Sequence, residues 1–152
     1  MSKLTVRTQA DGTFQRVYQK TPKSCFAACV ASIIGVEFED MPLSFHAETW
    51  DHAQQRYWLS ERGWGLAEHK MATEGMWPPT DGMLCIVSGK SPRGEQKHAV
   101  VAKTQYDTVE PFVVVHDPWR GDAFTPNSID GDVEIVTWLI PMGSFRAKGS
   151  KS

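Results

Sequence analysis

An uncharged, largely apolar stretch near the start of the chain constrains the fold more than any other feature. From Cys25 to Ile34 the sequence is rich in Ala, Ile, Val and Cys and contains no charged residue. Ser24 stands where an N-cap residue is favoured, and Gly35 stands where glycine commonly ends a helix. The pattern therefore predicts a short buried helix with Cys25 in its first turn.

A cysteine at this position is suited to act as a thiolate. A helix N-terminus carries about half a positive charge and offers unpaired N–H groups. Because this dipole contributes only about 0.3–1 kcal/mol, we expect a nearby imidazolium to supply most of the stabilisation of the thiolate. Gln19 lies on the loop that leads into the helix. Its side-chain amide is placed to join the Cys25 backbone N–H as a donor to an oxyanion.

Three of the five histidines lie in predicted strands, and two of them, His98 and His116, are candidate partners for Cys25. His98 opens an apolar run that predicts one strand. The run 112–116 predicts a second strand, and Asp117 follows it directly. This order places a nucleophile on a helix, a histidine at the start of one strand and an acid at the end of the next. It predicts a Cys–His–Asp site. His116 and Asp117 are adjacent in an extended segment, so only one of the two side chains can face the site.

Taken in order, these motifs resemble those of a known enzyme family. Gln-x5-Cys at a helix start, followed by His98-Ala-Val-Val and later by Val-His-Asp117-Pro, resembles the double-glycine leader peptidases that process bacteriocin precursors. Those enzymes are papain-like cysteine peptidases, and the resemblance covers roughly residues 15–140. Where that family usually has Cys-Gly, this chain has Cys25-Phe26. With Cys-x3-Cys-x-Ala-Ser-Ile-Ile-Gly from Cys25, Glu-Asp-Met-Pro at 39–42, Ser-Pro-Arg-Gly at 91–94 and Val-His-Asp-Pro at 115–118, it looks closer to small stand-alone papain-like proteins of bacteriophage genomes.

The resemblance implies a role for each residue of the motif. The implied roles are Cys25 as nucleophile, His98 as general base, Asp117 as the acid that orients the base, and Gln19 as oxyanion donor. The family has its acid before a proline, which favours Asp117 and directs His116 elsewhere, into core packing. The implied reaction cleaves a peptide or isopeptide bond of a polypeptide substrate through a thioester acyl-enzyme. Another amide hydrolysis or an acyl transfer is the alternative reaction.

Two further hypotheses compete with this one. The first is a zinc site, for which sulfur and nitrogen ligands are available at Cys25, Cys29, His98 and His116. However, Cys-x3-Cys on one helix lacks the tight Cys-x2-Cys knuckle, and His-x17-His is far from zinc-finger spacing, so we predict no metal and no cofactor. The second is a non-catalytic binding module on the same fold. Trp77 and Trp119 are interpreted as packing residues or as the border of a substrate cleft.

Composition limits the class of protein. The chain has 152 residues, 41% hydrophobic and 22% charged, which is typical of one soluble globular domain. A net charge of −2 without a basic stripe gives no support to nucleic-acid binding. Three cysteines, an odd number, favour a reducing compartment over a disulfide framework. No apolar run reaches membrane-spanning length, and the first residues lack an apolar signal core, so we expect a cytoplasmic protein that does not bind membranes.

The order of the predicted elements indicates the fold class. The predicted elements are a helix that holds the nucleophile, a second helix over 47–62 whose aromatic face packs on the core, and then a series of strands. This order predicts an α+β fold. In papain-like terms, N-terminal helices pack on an antiparallel sheet within a single domain. The expected core covers about 13–142, between flexible termini at 1–12 and 144–152. The predicted strands are 13–18, 64–70, 83–88, 98–104, 112–116 and 133–140, the fourth and fifth forming a hairpin.

Overall fold

The fold is α+β, with two α-helices packed on a five-stranded antiparallel sheet. The computed structural model describes residues 14–71, 82–94, 96–105, 111–119 and 129–142. Trp77 and the predicted flexible termini lie outside these described residues. The helices are α1 (Cys25–Ile34) and α2 (His52–Glu61). The strands are β1 (Trp64–Lys70), β2 (Leu84–Lys90), β3 (Lys97–Thr104), β4 (Phe112–His116) and β5 (Asp130–Pro141).

Helix α1 has the bounds that the sequence predicts, but its N-terminus differs in one detail. Gly35 ends the helix in the left-handed conformation, at φ 81°, and its N–H donates to the Ala31 carbonyl. Ser24 occupies the N-cap position, yet its side chain makes no capping hydrogen bond. The Ser24 hydroxyl is instead engaged with Thr21, where it accepts from the backbone N–H and donates to the backbone carbonyl. The first turn of α1 therefore has no side-chain cap.

The predicted edge strand at 13–18 is wrong for residues 14–18, which form no strand; Thr13 lies outside the described residues. These residues bond to α1 and to side-chain and backbone atoms of β4, but they form no backbone ladder with a strand. The Val17 N–H donates to Ser32 Oγ at 3.0 Å, and the Ser32 hydroxyl in turn donates to the Ala28 carbonyl at 2.8 Å. On the other side, the His116 ring donates to the Val17 carbonyl at 2.7 Å. Because a side chain takes part in each of these bonds to the segment, its alternating sequence does not produce a strand.

Helix α2 is shorter than the predicted 47–62. Asp51 is in an extended conformation, and its carboxylate accepts from the Gln54 N–H at 3.2 Å, which starts the helix at His52. Upstream, Ala47–Thr49 form a separate single turn of 3₁₀ helix. The predicted aromatic core face is correct only in part, since Leu59 is buried but Tyr57 is 62% exposed. Neither helix among the described residues is long and apolar enough to cross a membrane.

The five strands lie in the order β1-β5-β2-β3-β4, and each neighbouring pair is antiparallel. The predicted hairpin is confirmed, because β3 pairs with β4 from Thr104 opposite Phe112 to Val101 opposite His116. Strand β2 extends to Lys90, beyond the predicted end at residue 88. Strand β5 begins at residue 130 instead of 133.

The central strands are apolar on both faces, so the sheet separates two cores. One core lies between the sheet and the helices, where α1 packs against β3 and β2 and α2 packs against β1. Alternate residues of β2 divide between the two cores: Leu84 and Ile86 belong to the helix side, and Cys85 and Val87 to the other. Cys85 is thus a buried strand residue. This packing fixes α1 against the strand that begins beside His98.

Candidate active site

A buried histidine and a carboxylate form the centre of the site. His98 lies near the start of β3 and is only 3% exposed. Its Nε2 lies 2.7 Å from Oδ1 of Asp117, which directly follows β4. The same carboxylate oxygen accepts from the Trp119 backbone N–H at 3.0 Å. The β3–β4 hairpin thus brings together the predicted base and the predicted acid, and the turn after β4 holds the acid in place.

The Asp117 contact determines the tautomer of His98. An ionised carboxylate can only accept hydrogen bonds, so the His98 Nε2 carries a proton and its N–H donates a hydrogen bond to Asp117. In the neutral ring, Nδ1 is then the nitrogen with a free lone pair. Nδ1 is therefore the atom that can take a proton from a nucleophile.

Cys25 is the third member of the group, and its thiol lies within hydrogen-bonding reach of the His98 ring. Burial alone would lower the pKa of His98. Hydrogen bonds with Asp117 and with the Cys25 thiol, together with the charges of both groups, outweigh burial and raise the pKa above its ordinary value. The environment of His98 therefore favours the protonated ring, which faces the Cys25 side chain and the Asp117 carboxylate.

The Cys25 side chain lies at a helix start and is partly accessible. Cys25 is half-buried, whereas every other residue of α1 is buried. The Ser24 side chain makes no capping hydrogen bond to the first turn of α1, although the Ser24 backbone carbonyl accepts from the Ala28 N–H at 3.1 Å. The sequence predicts this arrangement, in which the nucleophile stands beside backbone donors at the positive end of a helix.

Gln19 lies beside the acid, but its amide is engaged with its own loop. The Gln19 backbone N–H donates to the Pro118 carbonyl at 3.0 Å, which joins this loop to the residue after Asp117. The side chain is 6% exposed, and Nε2 donates to the carbonyls of Thr21 at 2.9 Å and Pro22 at 3.4 Å. The second of these bonds is long and weak. One amide N–H is therefore only loosely held, and the role of Gln19 as an oxyanion donor stays a prediction.

His116 points away from the other three residues, into packing, as predicted. Its Nε2 donates to the Val17 carbonyl at 2.7 Å, and its ring packs against Phe14 and Tyr18. Burial lowers the pKa of His116, although the hydrogen bond to Val17 partly offsets this. His116 therefore has a structural role: it anchors the segment that carries Gln19.

The zinc hypothesis has no support from the positions of its ligands. Among the described residues, which include all four proposed ligands, no group of three or more His, Cys, Asp or Glu side chains is arranged to hold a metal ion. Cys29 is fully buried, and burial first, then the charges of Cys25 and Asp117, raises its pKa well above the ordinary value. A neutral, buried Cys29 is a core residue.

Sequence reasoning did not identify Arg93, whose side chain reaches the site. Its guanidinium lies 4.1 Å from the centre of the Trp119 ring, and Nη2 lies 3.5 Å from His98 Nδ1. The turn sequence Ser-Pro-Arg-Gly at 91–94, three residues ahead of His98, is the sequence feature that points to it. Trp119 thus lies at the border of the site, with its ring against Arg93 and its backbone N–H on Asp117.

Comparison with known proteins adds no relative to this picture. No family model, no curated protein and no solved structure matches the chain. The resemblance to the leader peptidases therefore stays a prediction from the motif residues.

Proposed function

We propose that the protein is a papain-like cysteine hydrolase that cleaves a peptide or isopeptide bond. The observation that supports this best is the 2.7 Å contact between His98 Nε2 and Asp117 on a ring that also interacts with Cys25. Acyl transfer requires a nucleophile, a base and an orienting acid, with the base in contact with both of the others.

In the proposed first step, Cys25 Sγ attacks the carbonyl carbon of the scissile bond. The proton of the Cys25 thiol resides on His98 Nδ1. His98 Nε2 keeps its own proton and donates a hydrogen bond to Asp117. Collapse of the tetrahedral intermediate breaks the C–N bond, and His98 gives the Nδ1 proton to the leaving amine. A thioester with Cys25 remains. Water, deprotonated by the now neutral His98, then attacks the thioester and releases the acid product and the thiol.

The negative charge that develops on the carbonyl oxygen needs donors. The Cys25 backbone N–H, at a helix start without a side-chain cap, is one candidate. The positive end of a helix dipole favours an anion at this position. The loosely held N–H of Gln19 is the second candidate. A substrate oxyanion is a stronger acceptor than the Pro22 carbonyl at 3.4 Å, so we expect that bond to be exchanged when a substrate binds.

Selective alkylation tests the proposal without a known substrate. An ordinary thiol with a pKa of about 8.5 is less than about 1% thiolate at pH 6. Iodoacetamide at pH 6 should therefore label Cys25 at least about tenfold faster than the same cysteine in an unfolded peptide. Cys29 and Cys85 are buried and should stay unlabelled in the native protein, which provides an internal control.

The variant His98→Ala should lose the acceleration, because it removes the cation opposite the thiolate. His52→Ala is the matched control, since His52 is exposed at the start of α2. Equal rates for Cys25 in the native protein and in the peptide would contradict the hydrolase proposal and favour a non-catalytic module. A rate that His98→Ala leaves unchanged would contradict it as well.

A further inference from the structure

The turn between β2 and β3 is built to hold Arg93 in a defined place. Ser91 is buried, and its backbone N–H donates to the Gln96 carbonyl at 2.9 Å. Its hydroxyl accepts from the Arg93 N–H at 3.1 Å, and its carbonyl accepts from the Gly94 N–H at 3.4 Å. Serine first, proline second and glycine fourth suit a type I turn. The backbone of Arg93 is therefore fixed, although its side chain is exposed.

The side chain of Arg93 is directed to the reacting edge of the imidazole. Its guanidinium lies over the Trp119 ring at 4.1 Å, a cation–π contact that limits its movement. Nη2 lies 3.5 Å from His98 Nδ1, the nitrogen that exchanges a proton with Cys25 in the proposed mechanism. An exposed cation thus stands within a few ångströms of the position through which a substrate must pass.

No carboxylate neutralises Arg93 among the residues that the structure describes. Five other cations of the described surface pair with an acid: Lys20 with Glu39, Lys23 with Glu48, Arg62 with Glu61, Lys90 with Asp130, and Lys97 with Glu134. The exposed Arg16 and Arg56 instead donate to backbone carbonyls, of Val115 and Leu66 respectively. A guanidinium beside an imidazole opposes protonation of the ring, so its position does not serve the base itself. A negative group brought by the substrate would satisfy the guanidinium and remove that opposition.

We propose that Arg93 is a specificity-determining residue that binds a carboxylate in the leaving-group half of the substrate. This inference rests on the proposed hydrolase function. His98 gives its Nδ1 proton to the leaving amine, so the leaving-group half of the substrate passes beside Nδ1, where Arg93 lies. The carboxylate is either the free C-terminus of a short leaving segment or an Asp or Glu side chain next to the scissile bond. Both have the planar geometry that a guanidinium binds in a bidentate manner.

Two small reagents of different charge measure the effect of Arg93 directly. Iodoacetate carries a carboxylate and iodoacetamide does not, and both alkylate Cys25. The measured quantity is the rate constant of iodoacetate at Cys25 divided by that of iodoacetamide, at pH 6.5 and low ionic strength. In Arg93→Gln this ratio should fall by about threefold to tenfold, as expected for one opposite charge a few ångströms away. In Arg93→Lys much of the ratio should return, and added salt should reduce it in the native protein.

Arg62→Gln is the matched control for this experiment. Arg62 is also an exposed arginine stacked on an indole, with its guanidinium 3.9 Å from the Trp58 ring. It should leave the ratio unchanged. An equal fall in Arg62→Gln would show a general charge effect and overturn the inference.

A pair of isomeric reagents distinguishes the two sources of the carboxylate. N-iodoacetyl-asparagine has a free α-carboxylate, whereas N-iodoacetyl-isoasparagine has the carboxylate on its side chain and an amide at the α-position. N-iodoacetyl-asparagine amide is the neutral reference for both. A larger Arg93-dependent gain for the first reagent assigns a free C-terminus, and a larger gain for the second assigns an acidic side chain. If Arg93→Gln changes neither rate relative to the neutral reference, the inference is wrong.

Failure of the inference and failure of the proposed function give different results. If iodoacetamide labels native Cys25 no faster than it labels the peptide, the hydrolase proposal fails and the role of Arg93 fails with it. If that acceleration is present and requires His98, but the charge ratio is the same in Arg93→Gln, only the role of Arg93 is refuted.

Discussion

The substitution Asp117→Asn separates the charge of the acid from its shape. Asparagine fits the same space, and its Oδ1 can still accept from His98 Nε2, but the negative charge is lost. The His98–Asp117 contact is 2.7 Å long, and the Asp117 side chain is only 12% exposed, so solvent weakens the interaction little. A charge-assisted hydrogen bond is worth about 1–2 kcal/mol more than a neutral one. This corresponds to about a fivefold to thirtyfold loss in the stability of the imidazolium.

The assay is the rate of Cys25 alkylation by iodoacetamide at pH 6, because the proposed mechanism requires the imidazolium as counter-ion of a reactive thiolate. We expect Asp117→Asn to react about tenfold more slowly than the native protein. The matched control is Asp40→Asn, because Asp40 is exposed and contacts none of the three site residues by a described hydrogen bond or ion pair. A rate in Asp117→Asn equal to that of the native protein would refute the idea that the carboxylate stabilises the imidazolium.

Three further predictions concern the stability of the fold around the site. Ser32→Ala leaves the buried Val17 N–H without its acceptor and should lower the free energy of unfolding by about 1–3 kcal/mol in urea denaturation, whereas Ser60→Ala at the surface should cost less than about 0.5 kcal/mol. Folding lowers the pKa of His116. Its contribution to the free energy of unfolding is therefore present above the unfolded pKa of about 6.5 and is lost as pH falls through the folded pKa. On acidification the native protein should lose this stability, whereas His116→Gln should not. Gly35→Ala should cost about 1 kcal/mol in the same denaturation assay from backbone strain at φ 81°, since nothing within 4 Å obstructs a Cβ; no loss of stability would show that the helix end relaxes.

Local patterns predicted those parts of the fold that depend on local chemistry. The apolar run closed by Gly35 determines α1, and the β-branched runs determine β3 and β4 within one residue at each end. The adjacency of His116 and Asp117 in an extended segment correctly separated their directions. These features require only side-chain alternation, helix caps and turn residues.

Other features depend on tertiary contacts that no local pattern contains. Residues 14–18 alternate like a strand, but their partners are Ser32 on α1 and the buried His116. The Ser24 side chain, which suits a cap, bonds to Thr21 instead. The predicted start of α2 at residue 47 was wrong, because the Asp51 side chain caps the helix at His52 and the apolar spacing upstream does not indicate this cap.

The site shows the same division. Motif order predicted Cys25, His98 and Asp117, and the fold brings the three together. Arg93 was missed because its significance depends on two distant contacts, the Trp119 ring and His98 Nδ1. A turn sequence predicts where a side chain is presented, but it does not specify which groups that side chain meets.

The most direct test of the central claim is an NMR titration of the His98 ring nitrogens in the native protein and in Cys25→Ala. The Cys25 side chain raises the pKa of His98 by hydrogen bonding and by charge, while Asp117 remains present in both proteins. We therefore predict a lower pKa of His98 in Cys25→Ala, with the proton of the neutral ring on Nε2 in that variant. The same pKa in the two proteins would show that sulfur and imidazole do not interact, and would contradict a Cys25–His98 catalytic pair.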